Sequence, residues 1–157
     1  DIDPILLGAI IIDEIARLAP FEEVINALEA RIVGLNVSVG IAQVKIDTAN
    51  GLIKNGIYHP NPDDKKLPFR RLTNIGRMHL YKYLIQPKHN IFFAAALIRY
   101  IIDFWASQID LTKRPEILAT LYSIGRGEPK KNPKPSERGR QILKEFYPLA
   151  KKWLDEL

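Results

Sequence analysis

An apolar stretch in the second half of the chain reads Asn90-Ile91-Phe92-Phe93-Ala94-Ala95-Ala96-Leu97-Ile98, and its pattern continues to Trp105. Apolar residues that recur at helical spacing over this length predict a helix. Asn90 is a residue type favoured at a helix N-cap, so we expect the helix to begin there. Its alanines are small enough to let a second helix approach closely. We therefore predict a central core helix over about residues 90–107.

Helical patterns recur on both sides of this segment, while the alternating pattern of a strand is scarce. Proline fits the first turn of a helix, as at Pro4 and Pro115, and Pro148 is expected to kink the last helix. Further helices are predicted over residues 4–18, 20–33, 47–54, 74–85, 115–123 and after residue 140. The sequence thus predicts a mainly α fold of about seven or eight helices in a single domain over residues 1–157.

Two segments rich in proline and charge separate some of these helices. The first, near residues 57–68, contains His59-Pro60-Asn61-Pro62-Asp63-Asp64-Lys65-Lys66. The second, near residues 126–135, is basic. Both segments predict exposed loops, because these residue types favour turns and bury little apolar surface.

The first predicted helix is apolar almost throughout and carries two acids, Asp13 and Glu14, near its end. Asp3 is a suitable N-cap for this helix. Asp13 lies four residues before Arg17, which is the spacing of an ordinary surface ion pair. We therefore expect a structural role for Asp13.

Glu14 differs from Asp13 because helical spacing aligns it with an apolar stripe, which comprises Leu7, Ile10, Ile11 and Leu18. Burial raises the pKa of a carboxyl group and keeps it protonated near neutrality, as acid-catalysed sugar cleavage requires. An ion pair between Glu14 and Arg17 would lower that pKa instead. Helix position alone leaves both interpretations open.

Four segments, taken in order along the chain, resemble one family. Ile10-Ile11-Ile12-Asp13-Glu14 is similar to the catalytic-glutamate helix of the lytic transglycosylase and goose-type lysozyme superfamily. Ser38-Val39-Gly40-Ile41-Ala42-Gln43-Val44-Lys45-Ile46-Asp47-Thr48-Ala49 resembles its Gly-Leu-Met-Gln segment and the Thr-Ala that follows. Asn90-Ile91 with Ala94 to Ala96 resembles its central Asn-Ile…Ala-Gly helix, and Ala119-Thr120-Leu121-Tyr122-Ser123-Ile124-Gly125 resembles its Ala-Ala-Tyr-Asn-Ala-Gly segment. The shared order of the segments supports the resemblance more than any single one.

The resemblance implies a lysozyme-like fold whose cleft holds a strand of peptidoglycan or a related N-acetylated glycan. It implies that Glu14 is the general acid that protonates the scissile oxygen. The implied substrate-binding residues are Ser38, Gly40, Ile41 and Gln43 in a cleft wall, Tyr122 close to the carboxyl group, and Ser123. Such chemistry requires no cofactor and no metal, and it implies a location outside the cytoplasm, at a bacterial cell wall or secreted.

The chain also departs from the family pattern. Ile15 stands where members have serine directly after the glutamate, and Ser123 stands where asparagine follows the tyrosine. The stretch between Glu14 and Gly40 is longer than in most relatives. These departures leave open a catalytically inactive, glycan-binding relative.

The reaction outcome depends on a second carboxylate. Hydrolysis needs a partner acid, whereas a transglycosylase can use one glutamate as acid and then base while the 6-hydroxyl of the substrate attacks. Asp47 is the candidate partner because it follows the Gly/Gln segment, although it also fits the N-cap of the helix predicted over residues 47–54. We favour the single-carboxylate route.

Composition excludes some classes of site. The chain has no cysteine, which excludes a thiol nucleophile, a cysteine-ligated zinc and a disulfide framework. The three histidines, His59, His79 and His89, lack the spacing of metal ligands, so we expect surface or cap positions for them. The apolar run of the first helix is too short for a transmembrane segment.

The net charge of +5 indicates an anionic partner, which could be nucleic acid, a membrane surface or an acidic polymer such as a bacterial wall, and charge alone does not choose among them. A nucleic-acid partner is the main rival, because two basic tracts are present. The first comprises Arg70, Arg71, Arg77, Lys82 and Lys88, interleaved with Phe69, Tyr81 and Tyr83; the second comprises Lys130, Lys131, Lys134, Arg138 and Arg140. We favour solvated surfaces over a nucleic-acid site for both tracts.

Overall fold

The computed structural model describes residues 2–18 and 37–156, and over these residues the protein is mainly helical, as predicted. The helices are α1 (Pro4–Leu18), α2 (Ile46–Lys54), α3 (Asn74–Leu84), α4 (Pro87–Trp105), α5 (Pro115–Ile124), α6 (Glu137–Gln141) and α7 (Tyr147–Asp155). A 3-10 turn, Leu111–Lys113, precedes α5, and a π-helical segment, Ile142–Phe146, joins α6 to α7. Two short strands, β1 (Ser38–Val39) and β2 (Val44–Lys45), pair antiparallel with Ser38 opposite Lys45.

Most predicted helices of the described residues are observed within a few residues of their predicted ends. Asp3 caps α1 as expected, because its Oδ1 accepts hydrogen bonds from the backbone nitrogens of Ile5 at 2.8 Å and Leu6 at 3.3 Å. The helix predicted over residues 20–33 lies outside the described residues.

Two predicted caps are wrong. The helix expected to begin at Asn90 begins at Pro87, and Asn90 is buried inside its first turn. The helix expected to begin after Asp47 has Lys45 at its N-cap, and Asp47 lies within its first turn. In both cases the side chain has a long-range partner, which sequence spacing does not reveal.

The C-terminal part of the chain is helical but not one regular helix. Pro148 lacks a backbone N–H, and its ring crowds the carbonyl four residues earlier, so it disturbs the hydrogen bonding of the turn before it. The π-helical segment Ile142–Phe146 occupies that turn. Pro148 itself lies in the first turn of α7, where a proline is tolerated.

The chain forms two compact units. The first comprises residues 1–13 and 97–157, and the second comprises residues 14–96. Helices α1 and α4 each contribute residues to both units. The prediction of a single domain, and of α4 as its central helix, stays a prediction.

Within the first unit, α6 approaches α5 closely at Gly139. A Cβ atom at this position would lie 2.5 Å from the Glu116 carbonyl oxygen, so only glycine fits there. Ser136 caps α6 and also donates its backbone N–H to Thr120 Oγ1 of α5 at 2.9 Å. These contacts hold the C-terminal end of the basic 125–136 loop against α5.

Within the second unit, the buried core combines residues of the hairpin, α2, α3 and α4. It comprises Val39, Ala42, Val44, Ile46, Ala49, Leu52, Ile53, Leu80, Leu84, Phe93, Ala94 and Ala96, together with Leu67 from the loop between α2 and α3. The turn between the two strands is therefore built directly onto the core of this unit.

Candidate functional site

The turn between β1 and β2, residues 40–43, is held by the side chain of Asn90 from the first turn of α4. Asn90 is fully buried. Its Oδ1 accepts a hydrogen bond from the Ala42 backbone nitrogen at 2.7 Å, and its Nδ2 donates to the Val39 carbonyl oxygen at 2.8 Å. One neutral amide thus satisfies a backbone donor and a backbone acceptor of the same turn.

The turn contains two residues in the left-handed region. Gly40 has φ 74° and Gln43 has φ 49°. A Cβ atom at residue 40 would lie 2.5 Å from Asn90 Cγ and 2.6 Å from the Leu84 carbonyl oxygen, so this position requires glycine for space as well as for conformation.

Gln43 adopts its unusual conformation with the support of two local hydrogen bonds. Its backbone nitrogen donates to the Gly40 carbonyl oxygen at 3.0 Å, and its side-chain Nε2 donates to the same oxygen at 2.8 Å. A non-glycine residue in this region costs about 1–2 kcal/mol, which these bonds help to offset. The turn is therefore a defined structure and not a loose connection.

The sequence-predicted wall residues come together in this hairpin. Ser38 is exposed in β1, whereas Gly40, Ile41 and Gln43 are each half-buried. The turn thus keeps part of its surface accessible while the other part packs on the core. This combination suits a binding wall, because rigid backbone and exposed polar groups can contact a ligand together.

Glu14 lies in the same compact unit as the hairpin and is half-buried. The apolar stripe predicted around it is buried only in part. Ile10 is fully buried, but Leu7, Ile11 and Leu18 are half-buried. The buried side of α1 consists of Leu6, Ala9, Ile10 and Asp13, so Glu14 lies at the border of that side.

Asp13, and not Glu14, is the deeply buried acid of α1. The predicted surface pair with Arg17 is wrong, because Asp13 is only 3% exposed and Arg17 is exposed. Asp13 Oδ2 accepts hydrogen bonds from Arg138 Nε at 2.8 Å and from its terminal nitrogen at 2.6 Å. The role of Asp13 is structural, as expected, but its partner is distant in sequence.

Asp47, the candidate second carboxylate, forms an ion pair. Its Oδ1 lies 2.6 Å from a terminal nitrogen of Arg77 on α3. This contact links α2 to α3 and replaces the predicted capping role. The ion pair gives Asp47 a structural explanation that requires no substrate.

Tyr122 and Ser123 belong to the first compact unit, on α5. Tyr122 is buried, with 9% of its surface exposed. The Ser123 hydroxyl donates to the Ala119 carbonyl oxygen at 3.0 Å within the same helix. The predicted place of Tyr122 beside the Glu14 carboxyl and the predicted substrate contact of Ser123 both stay predictions.

The loop 57–69 forms a polar cluster that sequence reasoning missed. Asp64 Oδ2 accepts a hydrogen bond from the Tyr83 hydroxyl at 2.9 Å and lies 2.5 Å from His79 Nε2. The hydrogen bond with His79 lowers the pKa of Asp64, although burial opposes this effect. His79 and Tyr83 are four residues apart on α3, so their shared face was predictable, but the partner Asp64 was not.

A second contact holds the beginning of this loop. The Tyr58 hydroxyl lies 2.8 Å from His89 Nδ1 on α4, and the Tyr58 ring stacks on Phe92 with centroids 5.5 Å apart. Burial lowers the pKa of His89, and the nearby charge of Lys88 lowers it further. His79 and His89 are half-buried and tie the loop to two helices, and the expectation of surface or cap positions did not include these partners.

The described ranges, 2–18 and 37–156, contain no group of three or more histidine and acidic side chains that could hold a metal ion. In the same part of the chain, no helix has the length and apolar character needed to cross a membrane.

Several cations of the two basic tracts have structural partners. Arg77 pairs with Asp47, and Arg138 pairs with Asp13. Arg140 donates to the Pro135 carbonyl oxygen at 3.0 Å. In the loop 125–136, Arg126 lies over the Phe104 ring at 3.8 Å from its centroid. These contacts support the interpretation of the tracts as structural and solvated surfaces.

Comparisons of this chain with models of protein families, with curated proteins and with solved structures find no match. Proposals about function therefore depend on the residues and contacts of the chain itself.

Proposed function

We propose that this protein cleaves the glycan strand of peptidoglycan or a related N-acetylated glycan, with Glu14 as the general acid. The observation that supports this proposal most is the hairpin turn at residues 40–43, which is fixed by Asn90 and keeps Gly40 and Gln43 partly accessible. A glycine backbone allows a sugar ring to approach closely, and a glutamine amide can bond an N-acetyl or hydroxyl group. Glu14 belongs to the same compact unit.

The proposed reaction uses one carboxyl group twice. Glu14 first donates its proton to the glycosidic oxygen as the C1–O bond breaks, which releases one glycan chain. The carboxylate then accepts the proton of the 6-hydroxyl as that oxygen bonds to C1, which closes an anhydro-sugar ring and restores the acid. The ion pair of Asp47 with Arg77 supports this single-carboxylate route, because it engages the candidate partner acid.

The proposal places the substrate, and hence the protein, outside the cytoplasm at a bacterial wall. It does not require Tyr122 or Ser123. The departures at Ile15 and Ser123 make a glycan-binding protein without turnover the first alternative. A nucleic-acid-binding domain is the second.

The test is digestion of purified peptidoglycan by the parent protein and by Glu14→Gln. The substitution is nearly isosteric and removes the titrating proton, so we expect it to lower turnover by about 100-fold or more while the helix content is unchanged. Glu128→Gln, which makes the same change on an exposed loop residue, is the matched control and should retain parental turnover.

Mass spectrometry of the products separates the possible outcomes. Anhydro-sugar ends support the transglycosylase route, and reducing ends indicate hydrolysis. Equal cleavage by Glu14→Gln would exclude Glu14 as the acid. Binding of peptidoglycan by a parent protein that produces no cleavage would favour the inactive relative.

A further inference from the structure

We infer that Asn90 is a positioning residue, which fixes the substrate-facing shape of the turn at residues 40–43 without touching the substrate. This inference rests on the proposed function. It concerns a residue for which the sequence predicted a place on the central helix and a cap role, but no role in the binding site.

The backbone of Asn90 bonds within its own helix, whereas its side chain bonds the hairpin. Its backbone nitrogen donates to the Gln86 carbonyl oxygen at 2.9 Å, as expected inside a helix. The whole side-chain amide is therefore available to the hairpin, where it bonds Ala42 and Val39 at 2.7 and 2.8 Å. A change at this side chain should alter the turn more than α4.

The turn and the amide fit each other closely. Gly40 lies against Asn90 with no room for a methyl group, since a Cβ atom would come within 2.5 Å of both Cγ and Nδ2 of Asn90. The left-handed conformations of Gly40 and Gln43 are unfavourable in isolation, so the surrounding contacts must maintain them. Without Asn90, we expect Gln43 to sample other conformations and to lose its fixed orientation toward a ligand.

The chemistry of the contact provides a test that depends on pH. In Asn90→Asp, a protonated carboxyl group can still accept from the Ala42 N–H and donate to the Val39 carbonyl. An ionised carboxylate can only accept, and it faces the Val39 oxygen with a negative charge. Because burial raises the pKa of a carboxyl group, the protonated form should become populated under mildly acidic conditions.

The experiment measures kcat, KM and glycan binding of the parent and of Asn90→Asp between neutral and mildly acidic pH. At neutral pH we expect KM to rise about tenfold, the effect of one lost buried hydrogen bond, with a smaller change in kcat. On acidification, the ratio of variant to parent KM should return toward one. Asn55→Asp is the matched control, because Asn55 is exposed and bonds only Gly51 of its own helix among the described residues, so its ratio should not depend on pH.

Hydrogen exchange of the Ala42 backbone N–H supplies a readout that does not require turnover. After correction for the intrinsic rate, this exchange should be faster in Asn90→Asp than in the parent at neutral pH, because repulsion from the Val39 oxygen moves the ionised carboxylate away from the turn. The ratio of the two corrected rates should approach one at acidic pH. If Asn90→Asp does not fold at neutral pH, Gly40→Ala tests the same contact from the turn, because its methyl group must displace the Asn90 amide. We expect a similar rise in KM for a folded Gly40→Ala protein.

Two results would overturn the role of Asn90 and leave the proposed function intact. One is a parental KM in both folded variants, and the other is a ratio of variant to parent KM in Asn90→Asp that does not change with pH. A parent protein that neither binds nor cleaves the glycan would overturn the proposed function and this inference with it. The two failures are thus distinguished by the parent protein.

Discussion

At the scale of single residues, the neighbouring acids Asp13 and Glu14 have different surroundings, because Asp13 is buried and bonds Arg138, whereas Glu14 is half-buried at the border of the buried side of α1. Their positions on a helix were predictable, and so was a structural role for Asp13. The partner of Asp13 was not, because Arg138 is 125 residues away and only the folded chain brings the two together. The same limit explains why Asn90 and Asp47 were predicted to be caps.

The Asp13–Arg138 pair yields a stability prediction. Asp13→Ala removes a buried carboxylate that accepts two hydrogen bonds from Arg138, so we expect a loss of about 2–4 kcal/mol in the free energy of unfolding. Asp103→Ala removes a carboxylate from the exposed pair with Arg99 and should cost much less, because solvent screens that pair. Urea denaturation of both variants checks this order, and equal losses would contradict a structural role for the buried pair.

At the scale of secondary-structure elements, helices with strong apolar periodicity were the predictable part. The segment near residues 57–68 was expected to be an exposed loop, and it is a loop, but Asp64, Tyr58 and Leu67 are at least half-buried. Polar partners on α3 and α4 bond Asp64 and Tyr58, whereas Leu67 is an apolar residue of the buried core. Such contacts leave little periodic signal, because loop residues have no fixed spacing relative to the helices they contact.

The two histidine contacts of this loop predict a response to acid. Burial lowers the pKa of His89 below its ordinary value of 6.5, so the folded loop favours the neutral ring. Its contribution to stability should decrease as the pH falls below that ordinary value, since protonation then favours states with an exposed ring. The pKa of Asp64 is also lowered, so its contribution is present above its ordinary value and is lost as the pH falls through the lower, folded value.

Hydrogen exchange of residues 57–69 at decreasing pH, corrected for the intrinsic rate, checks this order. We expect protection to decrease in two steps, the first from His89 and the second, at lower pH, from Asp64. His89→Gln should remove the first step and Asp64→Asn the second. A single step that both variants leave unchanged would contradict the assignment.

At the scale of the whole molecule, the sequence predicted the helical class correctly because periodicity is a property of many residues together. It did not predict two compact units. Helices α1 and α4 both contribute residues to each unit, so no break in composition marks the division. The net charge of +5 was readable directly, but the structural partners of Arg77 and Arg138 were not.

These ion pairs lead to a prediction about partners. Affinity for DNA depends on the number of phosphates that cations neutralise. Each neutralised phosphate adds about −0.9 to the slope of log affinity plotted against log salt concentration. Because Arg77 and Arg138 have structural partners, we expect weak DNA binding that disappears as salt rises. Peptidoglycan binding should fall at first, as long-range attraction is screened, and then level off, because sugar contacts do not depend on salt.

Pull-down assays with insoluble peptidoglycan and DNA at matched salt concentrations check this difference, with Glu14→Gln used to prevent digestion. Tighter binding of DNA than of peptidoglycan near physiological salt would favour the nucleic-acid alternative.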